Sequence, residues 1–409
     1  MTIEPGNNLP RVKITNQAAI KRIVYLYGPI TRLEIARTLN LTLPTITTNI
    51  NSMIQNKIIQ ESQTTTTQVK AMGRKSNPVE IVPSSRYFIG VEIKQSYRIA
   101  VLTDYKGEIV QNLQDDTDTT SYEDIIQSCA NLIHSFLNSP LIDSGKIYGI
   151  GICTPGIIDP QKGILKIQRQ FHWKNKNMVE DIRALIGFSG DITLENDAVA
   201  RATMFNLLNK KLLDESHIFA YLFVSDGIAC PLMMNNPNFV CTSVGPGELG
   251  YMIMDPNMPD NEFGSTGKLS CFSGERVIKE QCIKEANNGN IPALKAILDT
   301  NAKIYMQDIL RTQKEGNTTV QEILSTAASY LGIAIANVDN IFRPDCILVE
   351  AKLFNNEINK APFFNALKKN LFGPEENKAN FIFITPDNEN GAKGAATVAI
   401  QKDLGTYIG

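Results

Sequence analysis

Six small hydrogen-bonding residues crowd one short stretch near the start of this chain: Thr42, Thr45, Thr47, Thr48, Asn49 and Ser52. At helical spacing Thr45, Thr48, Asn49 and Ser52 share a face, because residues three and four apart are neighbours on a helix. Short Thr and Asn side chains bond base edges and phosphates without holding the backbone away, which suits a helix lying in a DNA major groove. The other reading of such a face is plain solvation. Further on, Arg74 and Lys75 follow Gly73 in the polar stretch TTTTQVKAMGRKSN. A basic tip of that kind either enters a minor groove or stands in solvent.

Those residues need elements to hold them. Residues 16–27 place Ile20, Ile23, Val24 and Tyr27 at helical spacing, and Gly28-Pro29 supplies the stop. Thr31 with Glu34 has the form of a capping box that opens a second helix, with Leu33, Ile35, Ala36 and Leu39 as its apolar positions. After Asn40-Leu41, Thr42 is the N-cap of a third helix running to about Gln55, and Pro44 is tolerated in its first turn. Leu43, Ile46, Ile50, Met53 and Ile54 are expected to face inward. IIQES (58–62) and PVEIV (78–82) read as two short strands around the polar stretch, as in a winged helix-turn-helix.

Charge supports the same division. Residues 1–83 carry ten Lys and Arg against four Asp and Glu, a net +6; with −2 for the whole chain, the other 326 residues carry −8. A cationic head on an anionic body suits a nucleic-acid partner, since phosphate neutralisation supplies most of the sequence-independent affinity. The 409 residues exceed one compact core. No apolar run approaches membrane-spanning length and no signal peptide opens the chain, so a cytoplasmic protein without membrane contact is expected. Seven scattered cysteines and three histidines show no metal-ligand spacing, and the thiols are expected to be buried and reduced.

From Tyr87 the texture changes. YFIGVEI, YRIAVLTDYKGEIV, a helix over Tyr122–Leu137 and KIYGIGICTPGIID alternate as an α/β fold with a mixed sheet. The ordered segments GIGICTPGIID (149–159), LENDAVA (194–200), FAYLFVSDGIA (219–229), GPGELGY (245–251) and GAKGAATVAI (391–400), with GPITRLEIARTLNLTLPTIT ahead of them, resemble the ROK family of sugar-responsive repressors and sugar kinases. The resemblance runs nearly end to end, and within the family the head marks the repressor branch, which includes xylose-repressor relatives. It implies a two-lobed actin-like fold of the sugar kinase and Hsp70 ATPase type. The implied domains are a DNA-binding head over 1–83, a first lobe from 84–194 with 386–409, and a second lobe over 195–385.

The resemblance also assigns a site. Asn196-Asp197 matches the family's sugar-binding pair, Glu248 the Glu of its ExGH motif, and Tyr251 stands where that motif has His. For these groups a loop cap or surface turn is the alternative, and Tyr251 either stacks on a sugar or fills space left by a metal. Kinase relatives carry DxGGT where this chain has Glu92-Ile93-Lys94-Gln95-Ser96, so side chains replace the bare backbone a phosphate needs. The GTG loop reads Ser225-Asp226-Gly227 and a third glycine pair reads Val349-Glu350-Ala351. The zinc loop CxCGxxGCxE reads Asn261 to Ser270 with no matching cysteine, and Cys271 is out of register.

The expectation is therefore a DNA-binding repressor of carbohydrate-use genes, with no cofactor, no zinc and no catalysis. Its partners are double-stranded operator DNA, a sugar or sugar derivative in the cleft between lobes, and further copies of itself as a homodimer or tetramer. Two alternatives stay open: a sugar-independent DNA-binding protein whose body serves only dimerisation, and an active sugar kinase.

Overall fold

A computed structural model describes residues 9–62, 77–94, 96–209, 218–234, 247–261, 264–373 and 379–406. The chain forms two compact units, Met1–Lys210 with Asn388–Gly409, and Lys211–Asp387. This moves the boundary expected at residue 194: the helix Asp197–Leu208 belongs to the first unit. The head is not a separate body either, because its core residues join those of the first lobe in one cluster.

In the head, α1 (Leu9–Tyr27) starts well before residue 16, and α2 (Arg32–Leu39) and α3 (Leu43–Gln55) follow. Thr31 and Glu34 form the capping box, Asn40 ends α2 in the left-handed conformation, and Thr42 caps α3 by accepting from the Thr45 N–H. Ile20, Val24, Ile35, Ile46, Ile50 and Met53 pack between the helices. Strands β1 (Ile59–Glu61) and β2 (Val79–Ile81) pair antiparallel with Gln60 opposite Glu80, and Ile30 bridges to Val79.

Beyond the head, β3 (Tyr87–Ile93), β4 (Arg98–Asp104), β5 (Ile109–Asp115), β6 (Ile147–Thr154) and β10 (Asp191–Asn196) make a mixed sheet in the order β10-β6-β3-β4-β5. A small antiparallel sheet of β7 (Ile157–Asp159), β8 (Ile164–Gln168) and β9 (Trp173–Lys176) lies in the same unit. The alternation of β3 decides what covers each face. Ile89, Val91 and Ile93 meet α4 (Tyr122–Leu137) and α5 (Met178–Ile186), while Phe88 faces the helix Asn390–Asp403. That helix lies so close to the sheet that a Cβ on Gly90 would sit 1.9 Å from the Ala392 carbonyl oxygen, and one on Gly151 1.8 Å from that of Ala395. With α6 (Asp197–Leu208) it forms a wedged block.

The second unit is built on a parallel run of three strands, Ile218–Val224, Cys346–Ala351 and Asn380–Ile384. The long helix Thr318–Phe342 buries Leu324, Leu331 and Ile335 against it. Phe354, Phe363, Phe381 and Phe383 meet edge to face beside the sheet.

Candidate functional site

The outer face of α3 is rotated from the one expected. Thr42, Leu43, Pro44, Thr48, Asn51 and Gln55 are exposed; Thr45, Thr47 and Ser52 are half-buried at the margin. Asn49 is corrected: it is 5% exposed and spends its amide N–H on the Thr45 carbonyl at 2.8 Å, leaving its buried Oδ1 without a partner. Leu43, expected in the core, is 46% exposed. Both follow from the helix pitch of about 100° per residue, which centres the open stripe on positions 44, 48, 51 and 55 rather than 45, 49 and 52. Arg74 and Lys75 lie outside the described residues.

In the first unit the segments 92–94 and 196–201 come together. Glu92, at the end of β3, is buried and accepts from the Lys94 ammonium at 2.9 Å and the Arg201 guanidinium at 2.8 Å, both on Oε1. Two cations against one carboxylate overcome its desolvation and hold Glu92 below the ordinary glutamate range. Burial alone would lower the Lys94 ammonium, yet Glu92 beside it raises it above lysine's ordinary value. Gly391 fits here because a Cβ would meet the Glu92 carboxyl carbon at 2.0 Å. Lys94 is thus tied down by Glu92 two residues before it.

Asn196 and Asp197 open α6. Asn196 is its N-cap: the side-chain oxygen accepts from the N–H groups of Ala198 (3.0 Å) and Val199 (3.3 Å), and the amide donates to the Gly156 carbonyl at 3.1 Å. Its amide therefore already serves the local fold on both sides. Asp197 is buried, and desolvation carries its carboxyl above the ordinary range, opposed by Lys94 and helped by Glu92. Arg201 was missed in the sequence, though a cation four residues after Asp197 on an otherwise small and apolar helix was a readable signal.

Glu248 and Tyr251 belong to the second unit. Glu248 precedes the short turn Leu249–Tyr251, and Glu248 and Tyr251 line a cavity of about 670 Å³ whose walls include Leu232, Leu249, Met252, Val338, Ile341 and Phe342. Tyr251 is 44% exposed with the Lys268 ammonium 4.9 Å from its ring centre, so it does not plug a buried hole. Ser270 donates to the Gly250 carbonyl at 3.0 Å, fastening its helix start to the Leu249–Tyr251 turn.

Charged residues of the second unit are paired or bonded as well. Asp226 meets Lys279 at 3.4 Å, and Lys352 meets the buried Glu275 at 3.4 Å. Glu350 is a core residue of its strand and accepts from the Tyr221 hydroxyl at 2.6 Å. Cys129, Cys153, Cys230, Cys282 and Cys346 are buried free thiols and Cys271 is partly exposed; Cys241 lies outside the described residues. No described helix is long and apolar enough to cross a membrane.

Comparison with known proteins places this geometry. The model of the ROK family matches residues 88–402. A xylose repressor of Bacillus spizizenii is 24% identical over 347 residues, 84% of each chain. The crystal structure of a ROK family transcriptional regulator, a homologue of the Escherichia coli MLC protein, superposes with a TM-score of 0.78 at 19% identity, covering 97% of each chain. A ROK family glucokinase from Streptomyces griseus, solved with glucose and AMPPNP, gives 0.66 at 18% identity over 77% of this chain and 99% of its own. The α/β body is thus of the actin-like sugar-kinase type, and the chain belongs to the ROK family.

Proposed function

We propose that this chain is a transcription repressor of carbohydrate-use genes whose operator affinity is changed by a sugar. The observation that carries the reading is the head: a capped third helix with an open face of Thr48, Asn51 and Gln55, followed by a strand pair, on a segment of net charge +6. We read it as a winged helix-turn-helix whose α3 enters a major groove, with Thr42, Thr45, Thr47 and Ser52 bonding at its margins. Arg74 and Lys75 would add phosphate or minor-groove contact. Its place of action is the cytoplasm, as a homodimer on double-stranded operator DNA.

Asp197 in the first unit, and Glu248 with Tyr251 in the second, are the groups we assign to sugar recognition, as hydrogen-bond acceptors and a ring face. Asn196 orients Asp197 through the cap. Phosphoryl transfer is not part of this reading. By the resemblance, residues 92–96 bring side chains to a stretch that is bare backbone in kinase relatives, and Asp226 brings a carboxylate to a second such loop, which we take as unfavourable to a nucleotide's phosphates. A second reading, a body that only dimerises, is favoured by the commitment of the Asn196 amide to local backbone. A thermal-shift screen against monosaccharides, disaccharides and sugar phosphates separates the two, because a ligand of the native state stabilises it by mass action. Stabilisation by one sugar class is expected; a flat response to all of them supports the second reading.

A further inference from the structure

The C-terminal end of the helix Asn390–Asp403 meets the head through one carboxylate. Asp403 accepts from the Lys21 ammonium of α1, at 3.0 Å on Oδ2 and 2.7 Å on its backbone carbonyl. The same carboxylate takes the Arg86 guanidinium, from the connection between β2 and β3, and the Tyr105 hydroxyl from the turn after β4. Arg86 lies 4.0 Å over the Tyr148 ring, and Tyr25 of α1 meets Tyr105 edge-on with centroids 5.7 Å apart. Lys21, Arg86 and Asp403 are largely buried, so each cation makes its bond in a poorly solvated place. Burial pulls the Lys21 ammonium below its ordinary value, against the pull of Asp403.

The other end of that helix touches the Asp197 neighbourhood. Gly391 packs on the Glu92 carboxylate, and a Cβ on Gly394 would sit 2.7 Å from the Ala200 carbonyl of α6. Fourteen residues at about 1.5 Å rise span roughly 20 Å between the two ends. Apolar contact alone would permit the head some rolling on the sheet, since the hydrophobic effect is non-directional. Buried charge-assisted bonds to three separate segments fix a direction.

We infer that Asp403 is a positioning residue for DNA recognition, holding α1 so that the head moves as one body with the helix Asn390–Asp403 and α6. The inference rests on the DNA-binding reading. A protein that reads two half-sites with fixed heads tolerates little change in their spacing, while loosely held heads behave as linked modules and tolerate more. Lys21→Met removes the one head-borne cation and leaves Arg86 and Tyr105 on Asp403.

The test uses full-length protein and duplexes that the wild type itself enriches from random DNA, with the half-site spacing then changed by one and two base pairs. The wild type is expected to lose about tenfold or more in affinity for the altered duplexes, and Lys21→Met less than about threefold, with Lys21→Arg restoring the discrimination. Asp403→Asn, which keeps the shape and drops the charge, is measured beside it and is expected to lose discrimination as well. Unchanged spacing discrimination in Lys21→Met or in Asp403→Asn overturns the positioning role alone. Failure of the wild type to enrich any sequence overturns the DNA-binding reading and this inference with it.

Discussion

The first unit gathers its candidate binding groups as a knot of charge; the second presents a cavity walled largely by apolar side chains. Around Asp197 stand Glu92, Lys94 and Arg201, so that two acids and two bases from the segments 92–94 and 197–201 meet, with Cys153 beside them. Around Glu248 stand Leu232, Leu249, Met252, Val338 and Phe342. A knot of buried charge is intolerant of loss, because removing one member leaves the others unpaired where water does not reach. An apolar wall with open space in front of it is forgiving, because the space is already there.

That difference orders the expected effects. Glu92→Gln removes the carboxylate that Lys94 and Arg201 share and is expected to cost about 3–5 kcal/mol in chemical denaturation. A cost below about 1 kcal/mol would mean that water or Asp197 replaces the lost carboxylate. Leu249→Ala in the cavity wall is expected near the low end of core truncations, about 2 kcal/mol, because the residue already borders empty volume. A loss as large as that of Leu222→Ala, in the fully buried strand of the same unit, would break the comparison.

Within the charged knot the two acids should respond oppositely to pH. Glu92 is held below its unfolded value, so the stability it contributes is present above that value and is lost as pH falls through the native one. Asp197 is held above its unfolded value, so its contribution is present below that value and disappears as pH rises through the native one. At neutral pH Asp197→Asn is therefore expected to match or exceed the wild type in melting temperature, while Glu92→Gln melts lower. Equal destabilisation by both would contradict the assignment of Asp197 as the strained, functional member.

The same distinction between committed and open polar groups applies on a smaller scale in the head. Thr48→Ala is expected to weaken a selected operator by about 1–3 kcal/mol with little effect on stability. Asn49→Ala, at a buried side chain already bonded to the helix backbone, should lower stability more than base discrimination. Melting curves and operator titrations of the two variants side by side check this. The reverse pattern would return Asn49 to the DNA face.

Local signals made the head legible from sequence alone. The Thr31–Glu34 capping box, the Thr42 N-cap, the Gly28-Pro29 stop and the i, i+3, i+4 apolar pattern act within a few residues, so α2, α3 and both strands fall where they were read. The face of α3 was misjudged by one position because a stripe of Thr and Asn has no hydrophobic contrast at its edges, and Asn49 can satisfy a backbone carbonyl as easily as a base. In the body, the family resemblance carried by LENDAVA singled out Asn196 and Asp197 and left a loop cap open as the alternative, and Asn196 does cap α6. The cavity had no sequence signature: Val338, Ile341 and Phe342 come from the end of a helix some ninety residues beyond Glu248. Contacts of that span are set by tertiary packing, which periodicity does not encode.

The central claim is that a sugar held by Asp197 changes the grip of the head on DNA. A titration of the enriched operator duplex, with and without each member of a monosaccharide panel, tests it most directly in wild type and Asp197→Ala. The account predicts that at least one sugar shifts wild-type affinity by tenfold or so, within the usual 5–150-fold range of allosteric coupling, and that Asp197→Ala binds the duplex normally without that shift. An Asp197→Ala protein that still responds, or a wild type indifferent to the whole panel, would contradict it.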